Sequence, residues 1–245
     1  MKRLLDQQAS LLEYLTSCAA IFGDSDDAFR AQGLHGIDRG LLRLEARFSH
    51  EKRMEKIITV FPRTFEILGA KQAPLVQAFV AACPPADIGR LANARQFHHF
   101  LSTHWQRMRP EPAYLRDVTA CEFACAEVRN FVEAQESEAA AGQQRVPRRR
   151  IRRRPTIVLL RCSYDIRSIF EEGAGAFHPA ERDTPLAVAM PAGADRARVF
   201  ELRPVIFDLL AALDAWTEPA ELGATSELEE IIHELTEHGL LEVHG

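Results

Sequence analysis

Hydrophobic and polar positions form their clearest pattern in the last third of the chain. Two short β-prone runs, residues 185–190 and 198–203, flank a Pro-Ala-Gly-Ala-Asp turn. Helical periodicity follows over residues 204–216 and 226–238, and a short tail covers 240–244. The pattern predicts a β-hairpin that leads into two helices, which is the outline of a small winged-helix domain.

Residues upstream of the hairpin complete this domain. A β-prone run at 156–161 predicts a third strand, and 165–171 predict a short helix. Ser226, with Glu229 three residues later, is the signature of a capping box at the start of the last helix.

Most of the first part of the chain has helical periodicity. We expect helices within residues 4–15, 41–68, 73–82, 96–105 and 114–136. Pro62 must end or kink the helix of 41–68, because proline lacks an amide proton and clashes with the preceding turn. Gly69 is typical of a helix C-terminus.

Composition changes at residues 137–154, where Ala, Gly, Gln and Arg replace the apolar periodicity. The sequence therefore predicts an α+β protein with an all-helical domain at 1–136, an Arg-rich linker at 137–154 and a winged-helix-like domain with a small antiparallel sheet at 155–245. A chain of 245 residues has room for two modest domains that each bury a core.

Charge and cysteine content limit the class of protein. The net charge of −5 argues against general nucleic-acid binding, although arginines cluster near the linker. This cluster either belongs to a solvated interdomain linker or contacts an anionic partner. Its members are Arg145, Arg148, Arg149, Arg150, Arg152, Arg153 and Arg154. No apolar run is long enough for a membrane span, no signal peptide is evident, and five unpatterned cysteines favour a reducing cytoplasm.

Few residues suggest catalysis. Cys121 and Cys125 lie one helical turn apart and could bind a metal with nearby histidines, or could pack as small apolar side chains. No nucleophile triad, phosphate loop or zinc-binding motif is present in the sequence. We therefore expect a protein that binds rather than one that catalyses.

The predicted hairpin offers a binding edge, because an edge strand leaves backbone groups unpaired for an added peptide strand. The strand residues concerned are Val199, Phe200, Glu201, Leu202 and Arg203, and the facing helix would supply Leu228, Ile231, Ile232 and Leu235. Four glutamates on that helix, Glu227, Glu230, Glu234 and Glu237, disfavour insertion into a DNA groove. A peptide is the favoured guest; duplex DNA, or simple packing and dimerisation, are the alternatives.

Several motifs in the chain resemble those of a known family. They are Phe-Pro-Arg-Thr-Phe-Glu-Ile-Leu-Gly at 61–69, Cys-Pro-Pro at 83–85, Phe-His-His-Phe-Leu at 97–101 and Tyr-Leu-Arg-Asp-Val at 114–118. In this order they resemble the HvfC-like family, in which a helical domain precedes a domain similar to the RiPP recognition elements that bind leader peptides.

The resemblance implies a non-catalytic accessory subunit in RiPP biosynthesis. Members of the family form heterodimers with a TIM-barrel, multinuclear non-haem iron oxygenase that modifies a cysteine of a ribosomally made precursor or carrier peptide, as in the 3-thiaglutamate pathway. Iron would then belong to the partner, with no cofactor on this chain. The residues implied in docking the partner are Phe61, Pro62, Arg63, Tyr114 and Asp117. The rival interpretation is a winged-helix transcriptional regulator.

Overall fold

A computed structural model of the chain describes residues 2–23, 38–138, 150–172, 178–190, 194–223 and 225–244. Helices and small antiparallel sheets together make an α+β fold, as predicted. Within those residues, none of the helices has the length and apolar character needed to cross a membrane. Backbone contacts divide the chain into two compact units, Met1–Thr119 and Ala120–Gly245.

The first unit is helical, as predicted. Its elements, including the helix that continues into the second unit, are α1 (Lys2–Leu15), α2 (Cys18–Phe22), α3 (Arg39–Val60), α4 (Pro62–Leu68), α5 (Gln72–Ala82), α6 (Arg90–Arg107) and α7 (Leu115–Glu138). The sequence placed the domain boundary after residue 136, whereas the contacts divide the chain within α7.

Pro62 and Gly69 interrupt the helices of this unit at the positions predicted from the sequence. Pro62 is the first residue of α4, so the predicted helix of 41–68 is two helices with Phe61 between them. Gly69 follows α4 with a φ of 49°, a backbone conformation that residues with a Cβ atom rarely adopt.

An aromatic cluster forms the core of the first unit. The ring of Phe97 on α6 lies 5.5 Å from Phe61, 5.5 Å from Phe65 and 5.0 Å from Phe79, measured between centroids. Buried hydroxyls of Thr64 and Thr119 share a hydrogen bond of 2.9 Å, which satisfies both polar groups inside the apolar core.

The second unit contains the predicted hairpin followed by two helices. Its further elements are β1 (Arg150–Arg153), β2 (Val158–Tyr164), α8 (Arg167–Glu172), β3 (Glu181–Ala189), β4 (Arg198–Glu201), α9 (Pro204–Ala212), α10 (Ser226–Glu237) and β5 (Leu241–His244). All strand pairings among them are antiparallel, in a sheet of order β2-β3-β4 and a two-stranded sheet of β1 and β5.

The β1–β5 pair differs from the sequence interpretation. Residues 150–153, which the sequence assigned to a linker, form a strand whose partner is the C-terminal tail. Ile151 is fully buried, and its amide and carbonyl also bond with Thr217, each at 2.9 Å. A segment rich in arginine is thus held as a strand by a partner distant in sequence.

Two adjoining apolar clusters stabilise the second unit. One contains Ile151, Leu210, Leu213, Ile232, Leu235 and Leu241, and the other contains Ile157, Ala187 and Ala189. Leu159, Leu202 and Leu240 pack against both. Residues 184–189 of β3 are all buried, so both faces of the central strand are covered.

The start of α10 differs in one detail from the predicted capping box. The helix begins at Ser226, but the cap is Thr225, whose hydroxyl accepts a hydrogen bond from the Leu228 amide at 3.3 Å. Ser226 is therefore the first helical residue rather than the N-cap.

Candidate functional site

Strand β4 lies at one end of the three-stranded sheet. In the order β2-β3-β4, it pairs with β3 on one side and with no other described strand. The binding edge predicted from the sequence requires this position. An edge strand of this kind can receive a further strand from another chain.

The register shows which backbone groups of β4 point outward. The Leu202 amide donates to the Pro185 carbonyl at 2.9 Å, in the same register that pairs Phe200 with Ala187. Because antiparallel strands alternate the direction of their backbone groups, Phe200 and Leu202 bond towards β3. The N–H and C=O groups of Val199 and Glu201 therefore point to the open edge.

Pro185 limits the length of this edge. It lies opposite Leu202 and has no N–H group to donate to the Leu202 carbonyl. The ladder ends there, β4 stops at Glu201, and Pro204 begins α9. The open edge is consequently short, with two outward-facing residues.

The side chains of β4 differ in availability. Phe200 is 40% exposed, and Val199 is half-buried. Leu202 is half-buried against the two apolar clusters, and Arg203 is exposed. Phe200 and Leu202 lie on the same face of the strand, and on that face Leu202 packs against the two clusters while the Phe200 ring is partly exposed.

Glu201, a predicted peptide contact, belongs to an ion-pair ring. Its carboxylate oxygens lie 2.6 Å from Arg182 and 2.7 Å from Arg167. The same two arginines bind Asp165, at 2.7 and 2.8 Å. We name these four residues the carboxylate–arginine ring. Its members are separated along the chain, and no sequence motif indicated it.

The ring lowers the pKa of both acids. The largest cause of the lowered pKa of Asp165 is the hydrogen bond from Arg167. Burial of the carboxylate acts in the opposite direction, and the hydrogen bond from Arg182 lowers the pKa further. Hydrogen bonding from Arg182 is the largest cause of the lowered pKa of Glu201. Both carboxylates therefore stay charged, and the Glu201 side chain stabilises the end of β4 rather than projecting freely.

The predicted residues of α10 fall into two groups. Ile232 and Leu235 are 2% and 6% exposed and belong to the core cluster with Leu210 and Leu213. They hold the unit together and cannot contact a peptide in the folded state. Leu228 and Ile231 are half-buried and pack, like Leu202, against that same cluster.

The outer face of α10 is acidic. Glu227, Glu230, Glu234 and Glu237 are all exposed, and Glu229 is exposed with them. His233 pairs with Glu237 at 3.3 Å. Phosphate groups of a nucleic acid would be repelled by this face.

The described part of the arginine cluster is largely engaged within the second unit. Arg152 binds Glu242 at 2.7 Å and lies 4.5 Å over the ring of Trp216. Arg150 lies 3.7 Å from Glu218, and Arg153 donates to the carbonyl of residue 157 at 3.0 Å. Arg145, Arg148 and Arg149 lie outside the described residues.

The residues implied in partner docking are unequal in exposure. Phe61 is fully buried in the aromatic cluster, so it supports the corner between α3 and α4 from inside. Pro62 is exposed, and Arg63, which is half-buried, pairs with Glu66 at 2.7 Å. Tyr114 and Asp117 are half-buried at the start of α7.

The cysteine and histidine candidates do not form a common centre. Cys121 is fully buried, and its hydrogen bond with Cys125 together with burial raises the pKa of its thiol. His104 stacks on Phe100 at 5.3 Å. In the part of the chain that the structure describes, no group of three or more His, Cys, Asp or Glu is arranged to hold a metal ion.

The fold and this edge define an α+β protein with a helical unit and a second unit whose small sheet has an open strand. No model of a known protein family matches the chain, and no curated protein matches it either.

Proposed function

We propose that this chain is a non-catalytic accessory subunit that binds a ribosomally made precursor or carrier peptide by strand addition to β4. The observation that supports it is the open edge, where the backbone groups of Val199 and Glu201 have no neighbouring strand among the described residues. A peptide strand placed there would satisfy up to four backbone groups.

Side-chain contacts would add specificity. An added strand presents alternate side chains to the two faces of the sheet. Those on the face of Phe200 and Leu202 would meet the exposed part of the Phe200 ring. Leu228 and Ile231, which are half-buried and pack like Leu202 against the larger core cluster, would be the α10 residues to add contacts in this proposal.

Charge favours a peptide over duplex DNA. The helix that would enter a groove presents five exposed glutamates. Two arginines of the cluster, Arg150 and Arg152, already face carboxylates of the same unit. A DNA-binding regulator needs free cations where this unit presents acids.

The resemblance to the HvfC-like family supplies the partner. In this proposal the helical unit docks on a TIM-barrel, multinuclear non-haem iron oxygenase, and the bound peptide presents its cysteine to that enzyme. The iron belongs to the partner chain. Of the five residues that the resemblance implies in docking, exposed Pro62 and half-buried Arg63, Tyr114 and Asp117 are accessible to a partner.

The test is peptide binding by matched variants at one position. Cysteine-containing peptides encoded beside this gene would be labelled and titrated by fluorescence anisotropy. Val199→Pro removes an outward backbone N–H group. Val199→Thr keeps that N–H group and has a side chain of similar shape. Losing one hydrogen bond, with steric obstruction by the ring, should weaken binding by about 1–2 kcal/mol, or roughly 5- to 30-fold. Val199→Thr should bind like the parent.

Co-expression with neighbouring gene products tests the wider role. The expected result is a stoichiometric complex in which iron is found with the barrel enzyme. Equal peptide affinity for folded Val199→Pro and the parent would refute strand addition at β4. A chain that instead binds duplex DNA, with affinity falling steeply as salt rises, would favour the regulator.

A further inference from the structure

A cavity of about 290 Å³ lies within the helical unit, and its lining includes no residue of β4. Residues of α1, α2, α3, α5 and α6, and of the segment before α6, line it. Ligand sites have volumes of about 300–1,000 Å³, so this cavity suits a small ligand. Its apolar lining residues are Leu12, Leu15, Ile21, Val80, Pro85 and Ile88.

Arg53 is a buried cation in the wall of this cavity. The residue is only 8% exposed, and neutral acceptors hold its guanidinium. Nε donates to the Asn93 side chain at 3.0 Å, and Nη2 donates to the Cys83 carbonyl at 2.9 Å and to Gln96 at 2.7 Å. The guanidinium also lies 4.5 Å over the ring of Phe79.

These contacts fix Arg53 but do not neutralise it. Among the residues that the structure describes, none of its hydrogen-bond partners is a carboxylate, and Nη1 has no acceptor. A buried charge without a counter-charge is costly, and an anion that reaches it would be stabilised by a charge-assisted hydrogen bond. The feature therefore points to a negatively charged ligand group.

Other basic groups of α3 line the same cavity. Lys52 is exposed, and Lys56 donates to the Ile88 carbonyl at 2.6 Å, which anchors the segment carrying Ile88. His50 also lines it. The single carboxylate among the described lining residues is Asp87, one oxygen of which accepts from the Gly89 amide at 2.6 Å. Basic groups thus outnumber acidic ones at this cavity.

From this combination we infer that the cavity binds a small carboxylate on an apolar stem, with the carboxylate at Arg53 and the stem against the leucine, isoleucine and valine side chains. A free medium-chain acid and the C-terminal residue of an apolar peptide both carry this chemistry. Neither the volume nor the lining depends on the proposed peptide edge.

Calorimetric titration of the full chain tests the site with defined probes. Octanoate should bind, whereas octan-1-ol, which lacks the charge, and acetate, which lacks the stem, should each bind at least about 10-fold more weakly. Acetyl-Leu-Leu-Leu with a free carboxylate, compared with its amide, distinguishes a peptide C-terminus from a free acid. Preference for the tripeptide acid over octanoate identifies the peptide source, and the reverse identifies the free acid.

Variants connect binding to the cavity. Ile88→Asp places an acid in the lining at a side chain that is 86% exposed, so folding should be unaffected while octanoate binds at least about 10-fold more weakly. Leu41→Asp, at an exposed apolar position of α3 that does not line the cavity, is the matched control and should bind like the parent. The inference would be overturned if neither acid binds, or if octan-1-ol binds as tightly as octanoate. It would also be overturned if Ile88→Asp binds octanoate as tightly as the parent does.

Discussion

Proline substitutions at neighbouring positions of β4 test the direction of its backbone groups. The amide of Phe200 bonds to Ala187, which is fully buried, whereas the amide of Val199 points to the open edge. Phe200→Pro removes one ladder bond and leaves a buried carbonyl without its donor. Relative to Phe200→Ala, it should cost about 1–3 kcal/mol of unfolding free energy. Val199→Pro, relative to Val199→Ala, should cost less than about 1 kcal/mol because no internal bond is lost.

The alanine references matter because they remove the side-chain contribution at each position. Urea unfolding would be followed by the fluorescence of Trp216, which lies in the second unit, in a Trp105→Phe background that silences the tryptophan of the first unit. The difference between proline and alanine then isolates the amide. If proline at 199 destabilises the second unit as much as proline at 200, the alternation is wrong and β4 does not offer its edge as described.

Other consequences of the structure can be measured in the same unfolding assay. Ile232→Ala should cost about 2–5 kcal/mol because the side chain is fully packed in the core, and a cost near that of half-buried Ile231→Ala would contradict this placement. The lowered pKa values of Asp165 and Glu201 mean that their stabilisation is complete above the ordinary values of 3.8 and 4.5 and is lost as pH falls below them; Asp165→Asn with Glu201→Gln should flatten that part of the pH profile, and an unchanged profile would argue against the carboxylate–arginine ring. Thr225→Ala should cost about 0.5–1 kcal/mol through loss of the cap of α10, with Thr225→Ser as the neutral control, and an alanine variant as stable as the parent would exclude the cap.

Local chemistry made much of the fold predictable. The break at Pro62 and the stop at Gly69 follow from the backbone of single residues, and both are present. The hairpin and α10 were predicted from short-range periodicity, with bounds that differ by a few residues. Such signals are carried by neighbouring residues, so they survive without knowledge of the tertiary structure.

Burial within a predicted helix was not predictable from one sequence. Ile231 and Ile232 are adjacent and chemically identical, yet one is half-buried and the other is core. Periodicity shows that an apolar stripe exists, but the neighbouring elements decide which positions are fully covered. For this reason the sequence assigned Ile232 and Leu235 to a peptide surface, and Phe61 to a docking surface, when all three are core residues.

The sequence by itself determined the helical first unit, the hairpin followed by two helices and the acidic outer face of α10, because each depends on residues close together in the chain. Tertiary structure decided what lies beside each element. Arg152 finds Glu242 and Trp216, the tail becomes β5, and Arg182 joins Asp165 to Glu201. Contacts between distant segments decide whether a strand is an edge. They also decide whether a cation such as Arg53 keeps an N–H group without an acceptor among the described residues. No local pattern encodes those contacts.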